Sequence, residues 1–317
     1  MKAIVRNSYG PPDVLKLQEI EKPIPKDNEI SMKVHAASVN HADSHGLRGT
    51  PFMARIILGG LIKPKVKILG YDFAGQVESV GRDVSEFQPK DEVFGTSKGA
   101  GGFAEHLCAP EDLILIKPPS VSFEDAASVP AVGVVALQCL QQYGKLQSGQ
   151  DVLINGASGG IGTNAVQIAK VLGAHVTGVC STTNLDMVRS IGADEVIDYT
   201  KENFAQKEQM YDLIFDAVAK SSFSDCKPVL KTNGRYVTTA FSLGLALKAK
   251  MVRGDKKMIP IVANPTRSDL IFLKGLLEDG KLKPVIDRRY SLEQVPDAIR
   301  YLEEGHTKGK LIITVNE

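Results

Sequence analysis

Residues 156–162 read Gly156-Ala157-Ser158-Gly159-Gly160-Ile161-Gly162 and lie between an apolar run at 152–155 and a helix-like segment. In that segment Ala165, Ile168, Ala169 and Leu172 recur at i, i+3, i+4 and i+7, which gives one apolar face. A glycine-rich turn that leaves a strand and opens a helix constrains a chain more than any composition does. Gly159 removes the side chain where a phosphate must approach the backbone, and Gly162 allows close contact between helix and strand. The helix N-terminus adds free N–H groups and a partial positive charge, so Ser158, Gly159, Gly160 and Ile161 are expected to face a pyrophosphate. Ala157 stands where the strict GxGxxG pattern has its first glycine, so the turn is a variant of the dinucleotide fingerprint.

The end of the following strand bears on which dinucleotide. NAD sites place an acid there to accept from the ribose 2′-OH. Here the segment runs Cys180-Ser181-Thr182-Thr183, and the first acid, Asp186, already belongs to the next helix. Hydroxyls donate to a 2′-phosphate, whereas a carboxylate repels it. NADPH is therefore expected, with NADH as the alternative.

Strand-like and helix-like segments alternate around this turn. Strands are expected at 152–155, 176–180, 195–197, 213–215 and 235–238, with helices at 163–172 and 185–191 between them, which predicts a parallel sheet covered on both faces. Residues 1 to about 120 read instead as short strands (2–5, 29–34, 75–80, 113–116) broken by Gly10-Pro11-Pro12 and Pro23-Ile24-Pro25. The glycine run at 99–102 precedes no helix and is expected to be a plain loop. Helices are expected at 269–277 and 292–303, and a last strand at 310–315 is expected to return to the first domain. The expected fold is α/β: a β-rich domain of residues 1–121 and 265–317, and a doubly wound domain of residues 122–264.

A length of 317 residues suits two domains. The net charge of +1 gives no electrostatic basis for a nucleic-acid partner or stable membrane association. Four scattered cysteines, with no CxxC pair, suit a reducing compartment, and the absence of a signal-like start leads to the expectation of a cytoplasmic protein. Residues 51–69 are apolar and basic, with Ile56-Ile57-Leu58 and Lys63, Lys65 and Lys67. They are expected either to cover a substrate entrance as a lid, to touch a membrane surface, or to pack as an ordinary helix and loop.

Several stretches together carry a family resemblance over nearly the whole chain. They are Met1-Lys2-Ala3-Ile4-Val5, Ala36-Ala37-Ser38-Val39-Asn40, Gly70-Tyr71-Asp72-Phe73-Ala74-Gly75, Ala126-Ala127-Ser128-Val129-Pro130, the glycine turn, Leu282-Lys283-Pro284-Val285-Ile286-Asp287 and Gly305-His306-Thr307-Lys308-Gly309-Lys310. The chain resembles the medium-chain dehydrogenase/reductase superfamily in its zinc-free quinone oxidoreductase branch. That resemblance implies a GroES-like β domain, a Rossmann domain and a homodimer.

The zinc alcohol dehydrogenases of the superfamily bind catalytic metal at positions that fall here at Asn40, Tyr71 and about Ala131. Such residues do not supply the thiolate and imidazole ligands zinc prefers, so no zinc is expected. Without that Lewis acid a conjugated acceptor suits the site better than an alcohol. The expected activity is hydride transfer from NADPH to a quinone or an α,β-unsaturated carbonyl. The alternatives are an enoyl-thioester reductase and an NADPH-binding sensor without turnover.

The resemblance also assigns individual residues. Asn40 falls beside the nicotinamide, Tyr71 in the vacated metal position as a donor to a carbonyl, and His45 as a second candidate donor. For Asn40 the competing role is a satisfied buried amide, and for Tyr71 a core tyrosine. Ser181 and Tyr199 match positions that hold the 2′-phosphate and adenosine, although Asn184 replaces a lysine common in relatives and Tyr199 suits packing as well. Lys201 is a candidate compensating charge. Asp216 and Ala240 match groove-lining positions, Asn264 one near the carboxamide, and His306, Thr307 and Lys308 a C-terminal loop that meets the cofactor. Loop punctuation for Asn264 and a surface turn for residues 306–308 are the alternatives.

Overall fold

The computed structural model describes residues 1–50, 55 and 60–315, so residues 51–54 and 56–59 of the expected lid, the segment Ile56-Ile57-Leu58 among them, lie outside the described residues. The chain forms two compact units, one of Met1–Ala131, Pro265–Glu278 and Ile286–Glu317, the other of Val132–Asn264 and Asp279–Val285.

The first unit begins with β1 (Lys2–Val5) and β2 (Lys16–Glu19), an antiparallel pair. It continues through β3 (Glu29–Val39), helix α1 (His41–Arg48), β4 (Asp72–Val80), β5 (Glu92–Thr96), β6 (His106–Pro110) and β7 (Ile114–Ile116). Helix α2 (Phe123–Ala127) packs on β3, β4 and β5, so the boundary falls after residue 131 rather than at 121. Helix α3 (Pro130–Leu137), apolar on every face and continued by a wider turn at Gln138–Tyr143, crosses that boundary. No amphipathic period marked it in the sequence because it is buried almost all round.

The second unit holds β8 (Asp151–Asn155), α4 (Gly160–Val171), β9 (His175–Cys180), α5 (Leu185–Ser190), β10 (Glu195–Asp198), β11 (Tyr211–Asp216), α6 (Phe223–Cys226), β12 (Leu230–Thr238), α7 (Leu243–Met251) and β13 (Lys257–Pro260). Its six strands are all parallel in the order β10-β9-β8-β11-β12-β13. The order reverses between β8 and β11, and a crevice beyond the carboxyl ends of strands at such a point is where ligands bind in open α/β sheets. Leu153, Val179, Ile197, Ile214 and Tyr236 form part of its core.

The chain then returns to the first unit through α8 (Arg267–Glu278), β14 (Ile286–Ser291), α9 (Val295–Glu303) and β15 (Lys310–Thr314). Strand β15 pairs antiparallel with β3 and parallel with β14, extending a seven-stranded sheet. Val295, Ala298, Ile299 and Leu302 form the apolar stripe of α9 and join Ile30, Met32, Val34 and Leu311 in one core. The return of the C-terminus is therefore an integral part of that unit. Among the described residues no helix is long and apolar enough to cross a membrane.

Candidate active site

In the second unit the glycine turn shows why each glycine stands where it does. Gly156 has φ of +85°, and its N–H and that of Ala157 both donate to the Val179 carbonyl, at 3.1 and 2.9 Å. A Cβ on Gly162 would lie 2.0 Å from the Gly156 carbonyl oxygen, so helix and strand approach too closely for any side chain. A Cβ on Gly159 would meet no heavy atom nearer than 3.6 Å. The space at Gly159 is thus not used by the fold itself. Gly159 is the N-cap of α4 and supplies no side-chain cap, so the positive end of that helix opens onto this space. Ser158, Gly160 and Ile161 are half-buried around it. These features fit a pyrophosphate.

At the neighbouring strand ends, Cys180 of β9 and Asp198 of β10 are register partners. Their pairing brings an acid beside Ser181 that the linear sequence does not. The Asp198 carboxylate accepts from the Thr182 hydroxyl through Oδ2, and from the Thr200 hydroxyl (2.6 Å) and N–H (3.0 Å) through Oδ1. These donors hold its pKa at about 2, and the side chain is only 8% exposed. Thr182, expected to donate outward, is engaged here instead. Ser181 accepts from the Asn184 amide at 3.2 Å, Tyr199 is 60% exposed, and the Lys201 ammonium lies 3.5 Å from Asp198.

Asp216 is fully buried and accepts from the Asn155 amide (2.9 Å), the Tyr236 hydroxyl (2.9 Å), the Ala219 N–H (3.1 Å) and the Ser221 N–H (2.9 Å). It therefore acts on the loop after β11 and on the end of β8, rather than presenting its own oxygens. Ala240 is half-buried after β12, and Asn264, exposed, exchanges hydrogen bonds with Gln138 through its backbone.

In the first unit Asn40 and Tyr71 are tied together by a residue to which the sequence assigned no role. Asn40 ends β3 and caps α1. Asp43, in the first turn of that helix, accepts from the Asn40 N–H and the Gly70 N–H, each at 2.8 Å. Gly70 has φ of +95°, and a Cβ there would lie 2.7 Å from the Phe103 nitrogen, so only glycine turns the chain into Tyr71 at this point. The loop at 99–102 supports that turn, since the Gly102 N–H donates to the Gly70 carbonyl at 2.9 Å. Burial pushes Asp43 up to about 7. Tyr71 is half-buried, and its hydroxyl is raised to about 12 by burial and by the Asp43 charge, against the pull of Arg6.

Around Asn40 lies a buried charge cluster. The Lys310 ammonium, from the first residue of β15, donates to Asn40 Oδ1 at 2.5 Å and to the Val39 carbonyl at 3.0 Å. Asn40 Nδ2 donates to Asp72 Oδ2 at 3.0 Å and to the Ser38 carbonyl at 3.4 Å. The same Asp72 oxygen accepts from the Ala131 N–H at 3.2 Å. Burial lowers the pKa of Lys310 and raises that of Asp72, and each charge favours the other. Asp72 and Lys310 lie in stretches that carry the family resemblance but received no individual role there, because their partners lie far apart in sequence. His45 is exposed on α1, and of residues 306–308 His306 and Lys308 are exposed and Thr307 half-buried. Among the described residues no group of three or more His, Cys, Asp or Glu side chains is placed to hold a metal ion.

Residues 26–120 match the alcohol dehydrogenase GroES-like domain, and residues 191–313 match the zinc-binding dehydrogenase family. The chain is 33% identical to the chloroplast envelope quinone oxidoreductase homolog of Arabidopsis thaliana, over 99% of this chain and 98% of that protein. The chain belongs to the quinone oxidoreductases of the medium-chain dehydrogenase/reductase superfamily. It is an oxidoreductase. It is also 33% identical to the NADPH-dependent alkenal/one oxidoreductase, chloroplastic, of the same plant, over 99% of this chain and 79% of that protein. The solved quinone oxidoreductase of Coxiella burnetii superposes with a TM-score of 0.89 at 32% identity, covering 100% of this chain and 99% of that one.

The expectation of a cytoplasmic protein is corrected by the two plant relatives, whose names place them in the chloroplast. Scattered free cysteines do not distinguish the cytoplasm from another reducing compartment, so they carry no information about which of these it is.

Proposed function

We propose that this protein is an NADPH-dependent, zinc-independent reductase that transfers hydride to a quinone or an α,β-unsaturated carbonyl. The observation that carries this reading is the state of Asn40. Its carbonyl oxygen accepts from the Lys310 ammonium and its amide nitrogen donates to Asp72, so one oxygen lone pair is already engaged beside a cation and the nitrogen offers none to a metal. Tyr71 keeps its proton throughout the neutral range, and Ala131 has only a methyl side chain. Zinc prefers thiolate and imidazole ligands, and these three positions supply neither.

Bound NADPH supplies hydride from its nicotinamide ring. The remaining tasks fall to the chain. The α4 N-terminus and the open backbone at Gly159 hold the pyrophosphate, with Ser158, Gly160 and Ile161 beside it. Ser181 and the exposed Tyr199 and Lys201 meet the 2′-phosphate, while the ionised Asp198 turns its oxygens onto Thr182 and Thr200, and Lys201, 3.5 Å away, offsets part of its repulsion. Asp216 fixes the loop after β11, to which Thr239 beside Ala240 is hydrogen-bonded, and Asn264, His306, Thr307 and Lys308 complete the cofactor contacts. Asn40 sits at the nicotinamide side. The Tyr71 hydroxyl donates a hydrogen bond to the acceptor carbonyl, where negative charge grows as hydride arrives, and His45 is the second candidate donor. The names of the relatives support a conjugated acceptor of the quinone or alkenal type.

The assembly is a homodimer formed through the second unit. There β13 is the edge strand of its sheet, and α7 buries none of its residues. Leu243, Leu247 and Met251 on that helix, with Phe241 and Val262 nearby in sequence, are 54–76% exposed. Apolar surface of this kind marks an interaction site.

The test is oxidation of NADPH and NADH against a panel of quinones, alkenals and enoyl thioesters. Turnover of a quinone or alkenal with NADPH favoured is the expected result. Preference for enoyl thioesters would replace the acceptor, and tight NADPH binding with no acceptor reduced would overturn the enzymatic reading.

A further inference from the structure

We propose that Lys310 is the positioning residue of the active site: its buried ammonium, together with Asp72, dictates which end of the Asn40 amide faces which way. This inference rests on Asn40 acting at the nicotinamide side, and it adds to that role a residue given none so far.

An asparagine amide is nearly symmetric in shape, so packing alone does not choose between its two orientations; its hydrogen-bond partners do. Lys310 has three N–H donors and no acceptor. It reaches Asn40 Oδ1 at 2.5 Å and the Val39 carbonyl at 3.0 Å. On the other side an ionised Asp72 has acceptors only, and its Oδ2 lies 3.0 Å from Asn40 Nδ2. Flipping the amide would set an NH2 against an ammonium and a carbonyl against a carboxylate. Both contacts would become repulsive at once.

The arrangement is also costly, which argues against its being incidental packing. Lys310 is 4% exposed and Asp72 fully buried. Two buried opposite charges on either side of one amide are generally no more stabilising than apolar residues of the same volume. What the pair provides that apolar residues cannot is polarity at two ends of one side chain. The three partners come from strands far apart in sequence. Asn40 follows β3, Asp72 opens β4 and Lys310 opens β15, and register places them together: β15 pairs with the end of β3 through Leu311 and Val39, and β4 through Asp72 and Ser38.

The experiment compares wild type with Lys310→Met, Lys310→Arg and the double variant Lys310→Met/Asp72→Asn, all in the full-length protein. The first readout is the side-chain 15NH2 resonance pair of Asn40, assigned by its loss in Asn40→Ala. In wild type the two protons are expected to be well separated and slow to exchange. In Lys310→Met they should move toward the values of a free amide, and in Lys310→Arg they should stay near wild type. The second readout is kinetic: Lys310→Met should lower kcat at least tenfold with KM for NADPH changed less than threefold, and Lys310→Arg should recover most of kcat. Should Lys310→Met fail to fold because Asp72 is left uncompensated, the charge-neutral double variant gives the same NMR answer. An unchanged Asn40 resonance pair in folded Lys310→Met or in the double variant overturns the proposal. If wild type reduces no acceptor, the functional reading fails while the NMR comparison still decides the role of Lys310.

Discussion

The Thr182 hydroxyl donates to the carboxylate of Asp198, and that bond staples the segment after β9 to the segment after β10. Ser181 and Asn184 lie on the first segment, Tyr199 and Lys201 on the second. Asp198→Ala should therefore loosen both sides of the proposed 2′-phosphate site. Loss of these charge-assisted hydrogen bonds should raise KM for NADPH roughly tenfold. KM for NADH and both kcat values should change far less. Steady-state kinetics with the two cofactors checks this, and a gain in NADPH preference would mean that Asp198 acts by repulsion.

Asp198 also predicts a pH effect. Its folded pKa of about 2 lies below the ordinary carboxylate value, because the Thr182 and Thr200 donors favour the ionised form. The unfolded chain therefore binds the extra proton first as pH falls. The stabilisation is complete above the ordinary carboxylate range and is lost as pH drops from about 4 toward 2. Urea midpoints measured across that range should fall less steeply for Asp198→Asn than for wild type.

Gly159 and Gly162 should separate binding from folding. Gly162→Ala forces a Cβ to within 2.0 Å of a backbone oxygen and should strongly destabilise the second unit. Gly159→Ala has 3.6 Å of clearance and an ordinary extended φ of −82°, so its melting temperature should stay close to wild type. Its affinity for NADPH should nevertheless fall by at least about tenfold, or 1.4 kcal/mol. Thermal melts alongside cofactor titrations decide the matter.

Removal of metal should have no effect. Dialysis against a strong chelator should leave kcat and stability unchanged, and elemental analysis should find well under one zinc per chain. One zinc per chain, lost together with activity, would sink the zinc-independent mechanism.

The exposed Leu243, Leu247 and Met251 of α7 predict the oligomer. Leu247→Lys combined with Met251→Lys should convert a dimer to a monomer in light scattering without loss of helix signal. A wild-type protein that is already monomeric at micromolar concentration would count against the proposed interface.

The alternation of strands and helices at 152–238 was legible because those elements carry their own period, and the observed strands there contain the expected ones; β13 and β14 were not expected, and β15 ends one residue short of the expected 315. Helices α3 and α7 were not, since one is apolar on every face and the other places its apolar residues in solvent. Neither shows the one-sided stripe that periodicity detects. Asn40 and Tyr71 could be singled out by resemblance, but Asp43, Asp72 and Lys310 could not be given roles, because a lone acid or lysine carries no signal until its partners are known.

The glycine turn illustrates what the sequence alone determined. Local stereochemistry ties glycine at 156 and 162 to a strand–turn–helix, and no distant residue is needed to infer a phosphate cradle from it. The tertiary structure decided the polarity of the site. Parallel pairing of β10 with β9 brought Asp198 beside a strand end that is free of acid in the linear sequence. Pairing of β15 with β3 carried Lys310 across 270 positions to the Asn40 amide. Electrostatic partners are chosen by distance in space, and sheet register, rather than sequence separation, sets that distance.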